Sequence, residues 1–540
     1  MARFGSRAAI SILYAGISAL LTLVWWRGMV PFTFLGPDAG NIASFAAAWS
    51  HPGQWHGDMV LANTENFRFY AILHIPLLMG LASLLGDFGT AFVVLLWPVM
   101  WLQAEGYWRL GRLLFGQGGG ALALGLLSFG TVPLTIDYYG TYVDAEPRFL
   151  FQAILPFLLI GLLGAADSPK GWFRLFGLHG LSMYVHPVST PSVALASWLT
   201  LALRGPGGAP AAVWVWRLVA AGVVFVAVIV PFGINYLTGH QHGATADYAE
   251  AIARQHRLFG TIFMDGLVYA QTMLSQWRAR WFVPAWGVLG AMAVWVLAPH
   301  QRRRLVLLTA WMVLVVATSL GVTLLEQAIG RHFQLLPVEI DSIRNMRYGV
   351  PILMVFGLWG AVEAAGRMPR RRGGLLIGAV ACVWLVVNKP GGLPVRAVAD
   401  CLASGRLSCP SGEWLDRRAM LAALRDKVAR GTPVLPFVDR YEGLDAVLAV
   451  RYGALLPVAF CFKDGGTALG YANHGVLDRW LELSERLNEA HRSMDWRSLV
   501  ATADELGAGI IVTDLEPPPL SGWAVIHAGG RYRVLARSAT

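Results

Sequence analysis

The sequence predicts a polytopic α-helical membrane protein of about eleven transmembrane helices, with a small α/β domain at its C-terminal end. Three observations lead there. Of the 540 residues 56% are hydrophobic and only 14% are charged, with a mean hydropathy of +0.52; an ordinary soluble domain has roughly 25% charged residues. Apolar runs of roughly 20 residues, the length that crosses a bilayer, recur through the first 389 positions. After Val387 the composition becomes charged and is punctuated by Gly and Pro. The chain therefore divides into a membrane domain, 1–389, and a soluble domain, 390–540.

The first span covers 8–29. Trp25, Trp26 and Arg27 end it where a cleavage site would need small residues, so it reads as a retained anchor. The others lie near 88–105, 118–132, 149–166, 172–186, 190–204, 213–236, 281–298, 304–325, 350–366 and 373–389. The apolar stretch Ala71–Leu85 is short and holds His74 and Pro76; it reads as re-entrant or interfacial. With the N-terminus in the cytosol, every strongly basic short loop falls inside. These are Arg109/Arg112, Lys170/Arg174, Arg204/Arg217, Arg302–Arg304 and Arg367/Arg370–Arg372. The net charge of +10 thus reflects membrane orientation and is poor evidence for nucleic-acid binding. The acidic and histidine-bearing segments and the C-terminal domain then lie outside. Ala246–Leu258 reads as a polar outside helix, with Trp277 and Trp281 at headgroup level.

In the last domain, apolar spacing predicts helices at Trp414–Arg430, Leu477–Arg492 and Ser498–Leu506. Short strands are predicted at Pro433–Val438, Val458–Phe462, Gly509–Thr513 and Tyr532–Ala536. Of the four cysteines, Cys401 and Cys409 lie close together in a polar region and pair if it is outside the cytosol. Cys461 is left over, and Cys382, in an apolar span, reads as a buried thiol.

Residues suited to chemistry gather in the outside segments. The first loop, 31–69, carries Asp38 a few residues past the first span, followed by a short helix, Asn41–Trp49, that could lie along the membrane surface. Asp58, Glu65, His51 and His56 follow. Asp38 could instead be the N-cap of that helix. The second loop, PLTIDYYGTYVDAEPR, holds Asp137, Asp144, Glu146 and Arg148 beside Tyr138, Tyr139 and Tyr142, a composition suited to a lined cavity. His186–Pro187 forms a corner between two spans, where the imidazole could donate to a phosphate or act as an acid. Arg344 and Arg347, three apart, share a face of a helix on the outside, against the positive-inside trend. Their partner is either a lipid phosphate, which guanidinium forks match, or Glu339 and Asp341. Phosphate loops, HExxH, nucleophile elbows and dinucleotide fingerprints are absent.

Together these features resemble the integral-membrane glycosyltransferases of the GT-C superfamily, among them the protein O-mannosyltransferases, the aminoarabinose transferases of lipid A and the oligosaccharyltransferases. Gly36–Pro37–Asp38 matches the acid of the family's first outside loop, and Asp144 or Glu146 that of its second. His186–Pro187 is similar to the HP corner of many bacterial members, and Arg344/Arg347 to the basic residues that hold a lipid phosphate. The first-loop acid stands without the neighbouring acid of the O-mannosyltransferases, and there is no WWDYG-type motif. The resemblance therefore implies a bacterial inner-membrane enzyme that takes a sugar from a polyprenyl-phosphate or -diphosphate donor. The acceptor is a glycan, lipid or protein on the extracytoplasmic side, and the anomeric centre inverts. It implies Asp38 as general base, with Asp144 and Glu146 as further catalytic acids that orient the acceptor. Arg344, Arg347, His186, Arg148 and Tyr142 would bind substrate and phosphate. Some members use a divalent cation; Mg2+ or Mn2+ would here sit among Asp38, Asp144 and Glu146.

Two other classes share the composition. A secondary transporter or lipid flippase would place ionisable residues mid-membrane on broken helices, whereas these spans are nearly free of charge. A non-catalytic scaffold presenting the C-terminal domain would have no use for acids gathered in two loops.

Overall fold

The computed structural model describes residues 2–29, 35–68, 70–116, 118–134, 137–141, 145–206, 209–239, 250, 253–254, 257–258, 265–333, 341–389, 395–406, 412–439, 443–470 and 474–538. The chain opens with α1 (Ala2–Met29), α2 (Pro37–Ser50), α3 (His74–Leu85), α4 (Phe88–Phe115) and α5 (Gly119–Leu127). A hairpin of β1 (Thr131–Leu134) and β2 (Asp137–Gly140) follows. Then come α6 (Pro147–Asp167), α7 (Pro169–Ser182), α8 (Ser189–Leu203), α9 (Ala211–Gly239), α10 (Gly266–Ala279), α11 (Phe282–Leu297) and α12 (Arg302–Phe333). A 3-10 turn, Asp341–Tyr348, leads into α13 (Gly349–Ala365) and α14 (Arg370–Val387).

Six of these helices, α1, α4, α6, α9, α12 and α13, are long and apolar enough to cross a membrane; α10 and α11, bent by 71° at their break, add a seventh if they form one span. The expected count of about eleven is not reproduced, although each expected span coincides with a helix. Helices α7, α8 and α14 have 14, 15 and 18 residues, and α5 has nine. At 1.5 Å per residue α5 covers about 14 Å, half of a hydrocarbon core. The apolar stretch after it goes into the hairpin, where Val132, Leu134 and Tyr139 are buried against the bundle. Hydropathy alone does not separate these cases, because side chains packed inside the bundle need the same apolar character as side chains facing lipid. The hairpin's outer edge takes partners from the bundle, Thr131 N–H donating to the Asn388 carbonyl and Gly140 N–H to Gln152 Oε1. Helix α14 buries only Gly373 and Trp384, and so Cys382 is exposed and not a buried thiol as expected. Helices α11 and α13 cross so closely that a Cβ on Gly290 would land on the Phe356 carbonyl, the small-residue contact common between membrane helices.

The polar connections collect at one end of the bundle. Leu73 donates to the Tyr184 carbonyl at 2.7 Å, and His74 Nε2 to Ala145 at 2.6 Å. Thr131 donates to Asn388 at 3.1 Å, and Asn345 Nδ2 to Val188 at 2.9 Å. The basic turns meet at the other end, where Arg304 caps the Leu113 carbonyl and Arg367 the Leu297 carbonyl, each at 2.9 Å.

The remaining chain forms α15 (Val395–Ala403), α16 (Gly412–Lys427), β3 (Val434–Phe437), α17 (Leu444–Ala449), α18 (Asp464–Gly470), α19 (His474–Ser493), α20 (Trp496–Glu505), β4 (Ile510–Thr513), β5 (Trp523–Gly529) and β6 (Tyr532–Arg537). Its sheet has the order β3-β4-β6-β5, parallel at β3–β4 and antiparallel elsewhere. The three predicted helices are present within a few residues. The predicted strand at 458–462 is reduced to a single bridge, Val434 to Val458, and β5 went unforeseen because it alternates poorly.

The C-terminal part of the chain packs against α2 and the first loop. One apolar core runs from α2 and the first loop into Met420, Leu424, Val447 and Leu448. Helix α2, expected along the membrane surface, is buried throughout Ala39–Ala48 instead. A Cβ on Gly40 would lie 3.2 Å from Leu448 and Tyr452, so this approach suits glycine. An ion cluster locks the contact. Arg451, in the π-turn Val450–Ala454, donates to both oxygens of Asp58 at 2.8 Å and to Asp464 at 2.6 and 2.7 Å. All three side chains are fully buried. Asp58 also accepts from the backbone of Val60, Leu61 and Val458. Cys401 is disulfide-bonded and Cys461 is free; Cys409, the expected partner of Cys401, lies outside the described residues, as does most of Ala246–Leu258.

Candidate active site

Pro37 occupies the first turn of α2, where its fixed φ is already helical and its missing N–H is no loss. Gly36 is the N-cap, and no side chain caps the helix. Asp38 is therefore not the cap; it sits inside the first turn, where the helix dipole favours an anion. Its Oδ2 accepts from Arg148 Nη2 at 2.7 Å and its Oδ1 from Lys463 Nζ. The carboxylate is still 36% exposed, which leaves it reachable. Burial alone would raise its pKa. The charges of Lys463, Arg148 and Arg344 outweigh burial and hold the carboxyl well below the usual carboxylate range.

Arg148 stands at the start of α6, just after Pro147. Its Nε donates to the buried carboxylate of Glu146, its guanidinium lies 5.5 Å from the Tyr138 ring centroid, and its outer nitrogen reaches Asp38. Glu146 thus fixes the arginine that faces Asp38. The Tyr138 hydroxyl reaches Glu146 only at 3.5 Å.

The 3-10 turn Asp341–Tyr348 has about three residues per turn, so Arg344 and Arg347 do lie on one side of it. Arg344 Nε donates to the Tyr269 hydroxyl of α10 at 3.0 Å, and its charge reaches Asp38. Arg347 is buried, with its guanidinium 5.2 Å from the Tyr348 ring centroid. His186 faces the same group. Its Nδ1 accepts from the Ser189 backbone N–H at 3.2 Å, and Ser189 Oγ lies 2.8 Å away. An N–H can only donate, so Nδ1 is the acceptor and Nε2 carries the proton. Burial first, and then the charges of Arg347, Arg148, His74 and Arg344, push the imidazole well below its ordinary pKa. A neutral ring with Nε2–H can donate a hydrogen bond to a phosphate; it is not a proton donor of the imidazolium kind.

The structure therefore brings Asp38, Glu146, Arg148, Arg344, Arg347 and His186 into one cluster at the polar end of the bundle. Asp144 and Tyr142 lie outside the described residues. Glu65 pairs with Arg68 at 2.9 Å on the surface, and Asp58 belongs to the domain contact. Two members were not anticipated. Tyr269 belongs to a helix whose sequence reads as ordinary amphipathic surface. Lys463 lies 425 positions from Asp38, in a segment, CFKDGG, with no motif. Only its being a lone cation after an apolar run sets it apart.

Among the described residues no group of three or more His, Cys, Asp and Glu is placed to hold a metal ion. Both oxygens of Asp38 face cations, and Asp144, one of the three ligands expected for a divalent cation, lies outside the described residues; the chemistry below uses no metal.

No family model matches the chain, and no curated protein matches it. Among solved structures, it is similar to ArnT from Cupriavidus metallidurans bound to undecaprenyl phosphate, with 14% identity, a TM-score of 0.47 and coverage of 98% of each chain. It is similar to the apo state of the same ArnT with 14% identity, a TM-score of 0.47 and coverage of 99% of this chain and 98% of that one.

Proposed function

We propose that this protein is an integral-membrane glycosyltransferase that moves a sugar from a polyprenyl-phosphate donor to an acceptor hydroxyl. The observation that carries the reading is the Asp38 cluster: an ionised, reachable carboxylate at the polar end of the bundle, ringed by Lys463, Arg148 and Arg344, with Arg347 and the His186 Nε2–H beside it. In the reaction the acceptor oxygen attacks the anomeric carbon on the face opposite the phosphate. The carbon–oxygen bond to phosphate breaks and its electron pair leaves with the phosphate. The hydroxyl proton passes to Asp38. Arg344, Arg347 and His186 would meet the negative charge developing on the leaving group. Glu146 would act by holding Arg148, and so by placing Asp38.

The donor side is tested by binding. Arg344→Ala and Arg347→Ala should each weaken the affinity for a polyprenyl-phosphate sugar about 10-fold or more. Arg344 is half-buried where Arg347 is fully buried, which makes the Arg344 variant the cleaner one, with a smaller change in melting temperature. Unchanged donor affinity in both variants would reduce the pair to structural residues of the 3-10 turn.

We place the polar end and the C-terminal domain on the extracytoplasmic side of a bacterial inner membrane, because the basic turns lie together at the opposite end. Reporter fusions at residue 370 and at the C-terminus should report opposite compartments. A shared compartment would refute this orientation.

A further inference from the structure

We propose that Lys463 of the C-terminal domain is a ligand of the donor's phosphate, and that donor binding draws its ammonium off Asp38. The proposal rests on the glycosyltransferase reading above and adds to it the part played by the soluble domain.

The cations on Asp38 are held very differently. Arg148 is tied at both ends of its guanidinium, by Glu146 and by Asp38, and is stacked near Tyr138. Among the described residues Lys463 has one hydrogen-bonded partner, Asp38, with its charge also felt by Asp445, and its side chain is 30% exposed. An ammonium has three donors on a flexible four-carbon stem, so two of its N–H groups remain for another acceptor. Its backbone, by contrast, is pinned. Asp464 next to it belongs to the buried Arg451 cluster, Cys461 before it is buried, and the Cys461 carbonyl accepts from Trp480 Nε1 at 2.9 Å. A fixed base with a swinging charged tip suits a residue that changes partners.

The donor's phosphate, a diester, matches the Asp38 carboxylate in charge and sets its free oxygens among Lys463, Arg344 and the His186 N–H. As the bond to the sugar breaks it becomes a monoester of charge about −1.5 to −2, a stronger acceptor for the ammonium than the carboxylate. The ammonium then moves to the phosphate. Asp38 loses one of the charges that keep it a weak base and gains a negative neighbour, and both changes raise its proton affinity. Donor binding would thus hold the leaving group and ready the base in one movement. The acceptor's proton would find a competent base only when a donor is in place. It also follows that the soluble domain is part of the active site, docked through Asp58 and Arg451 so that Lys463 reaches α2.

The test measures affinity for undecaprenyl phosphate in lipid nanodiscs, with the full-length wild type, Lys463→Ala and Lys463→Arg, beside the melting temperature of each preparation and sugar transfer. Lys463→Ala should bind about 10- to 100-fold more weakly at an unchanged melting temperature, and Lys463→Arg should retain most of the affinity. Unchanged affinity in Lys463→Ala, with a wild type that binds and transfers, overturns this role and leaves the glycosyltransferase reading intact. A loss of affinity matched by a loss of melting temperature also overturns it, because Lys463 is then only a docking ion pair. A wild type that neither binds the probe nor transfers sugar removes both readings.

Discussion

Arg451→Met should destabilise the protein by about 3–5 kcal/mol, the usual result of removing one partner from a fully buried ion cluster. Methionine fills much of the arginine's volume, so the loss is electrostatic and leaves little cavity. Two buried carboxylates, Asp58 and Asp464, would then face each other without a cation. The C-terminal domain should loosen from α2, and limited proteolysis near residue 430 should release it where the wild type resists. The pH dependence gives a second check. Burial first, then the Asp58 charge, raise the Asp464 carboxyl above its ordinary pKa, with Arg451 pulling the other way. Without Arg451 it rises further. A carboxyl whose folded pKa exceeds its unfolded one binds more protons in the native state, so its destabilising effect grows with rising pH and is relieved as pH falls. The gap between variant and wild type should therefore narrow from pH 8 towards the raised folded pKa. Thermal unfolding in detergent across that range measures it, and a gap independent of pH would refute the charge argument.

Asp38→Asn should lower sugar transfer by roughly 10²–10⁴-fold, the usual worth of a general base, with donor binding not weakened and melting temperature nearly unchanged. Asparagine keeps the size of the side chain and an acceptor oxygen but cannot take the proton. The ion pairs it weakens are partly exposed, and such pairs contribute little to stability. A capping role would make the change harmless, because Asn caps as well as Asp; the carboxylate, however, caps nothing here. Because Lys463 and Arg148 hold Asp38 ionised far below neutrality, kcat/KM should show no acid limb from this group between about pH 5 and 8. Wild-type turnover in Asp38→Asn would remove it from the mechanism.

The membrane class, most of the helices and the opposition of a basic end to a polar end were legible in the residues themselves. Hydropathy and charge act locally, each apolar run seeking hydrocarbon wherever it lies in the chain. Asp38, Glu146, Arg148, His186, Arg344 and Arg347 stood out for the same kind of reason: charged or ionisable groups in short segments beside apolar spans are costly to keep without a task. What stayed hidden depends on contact between distant residues. Nothing in the sequence near Asp38 points to Lys463, and nothing near Asp58 points to Arg451, because an ion pair leaves no periodic trace in either partner's neighbours. The burial of α2 was missed because it comes from the C-terminal domain packing on a helix whose own composition suits a membrane surface equally well. The run at 118–132 has the hydropathy of a span because hydropathy measures burial in an apolar medium, and a helix in lipid and a hairpin inside a bundle meet that condition alike. Local solvation thus chose the elements and the end of the bundle where chemistry could occur. Only tertiary packing decided that the C-terminal part of the chain packs against α2 and supplies one of the charges on Asp38.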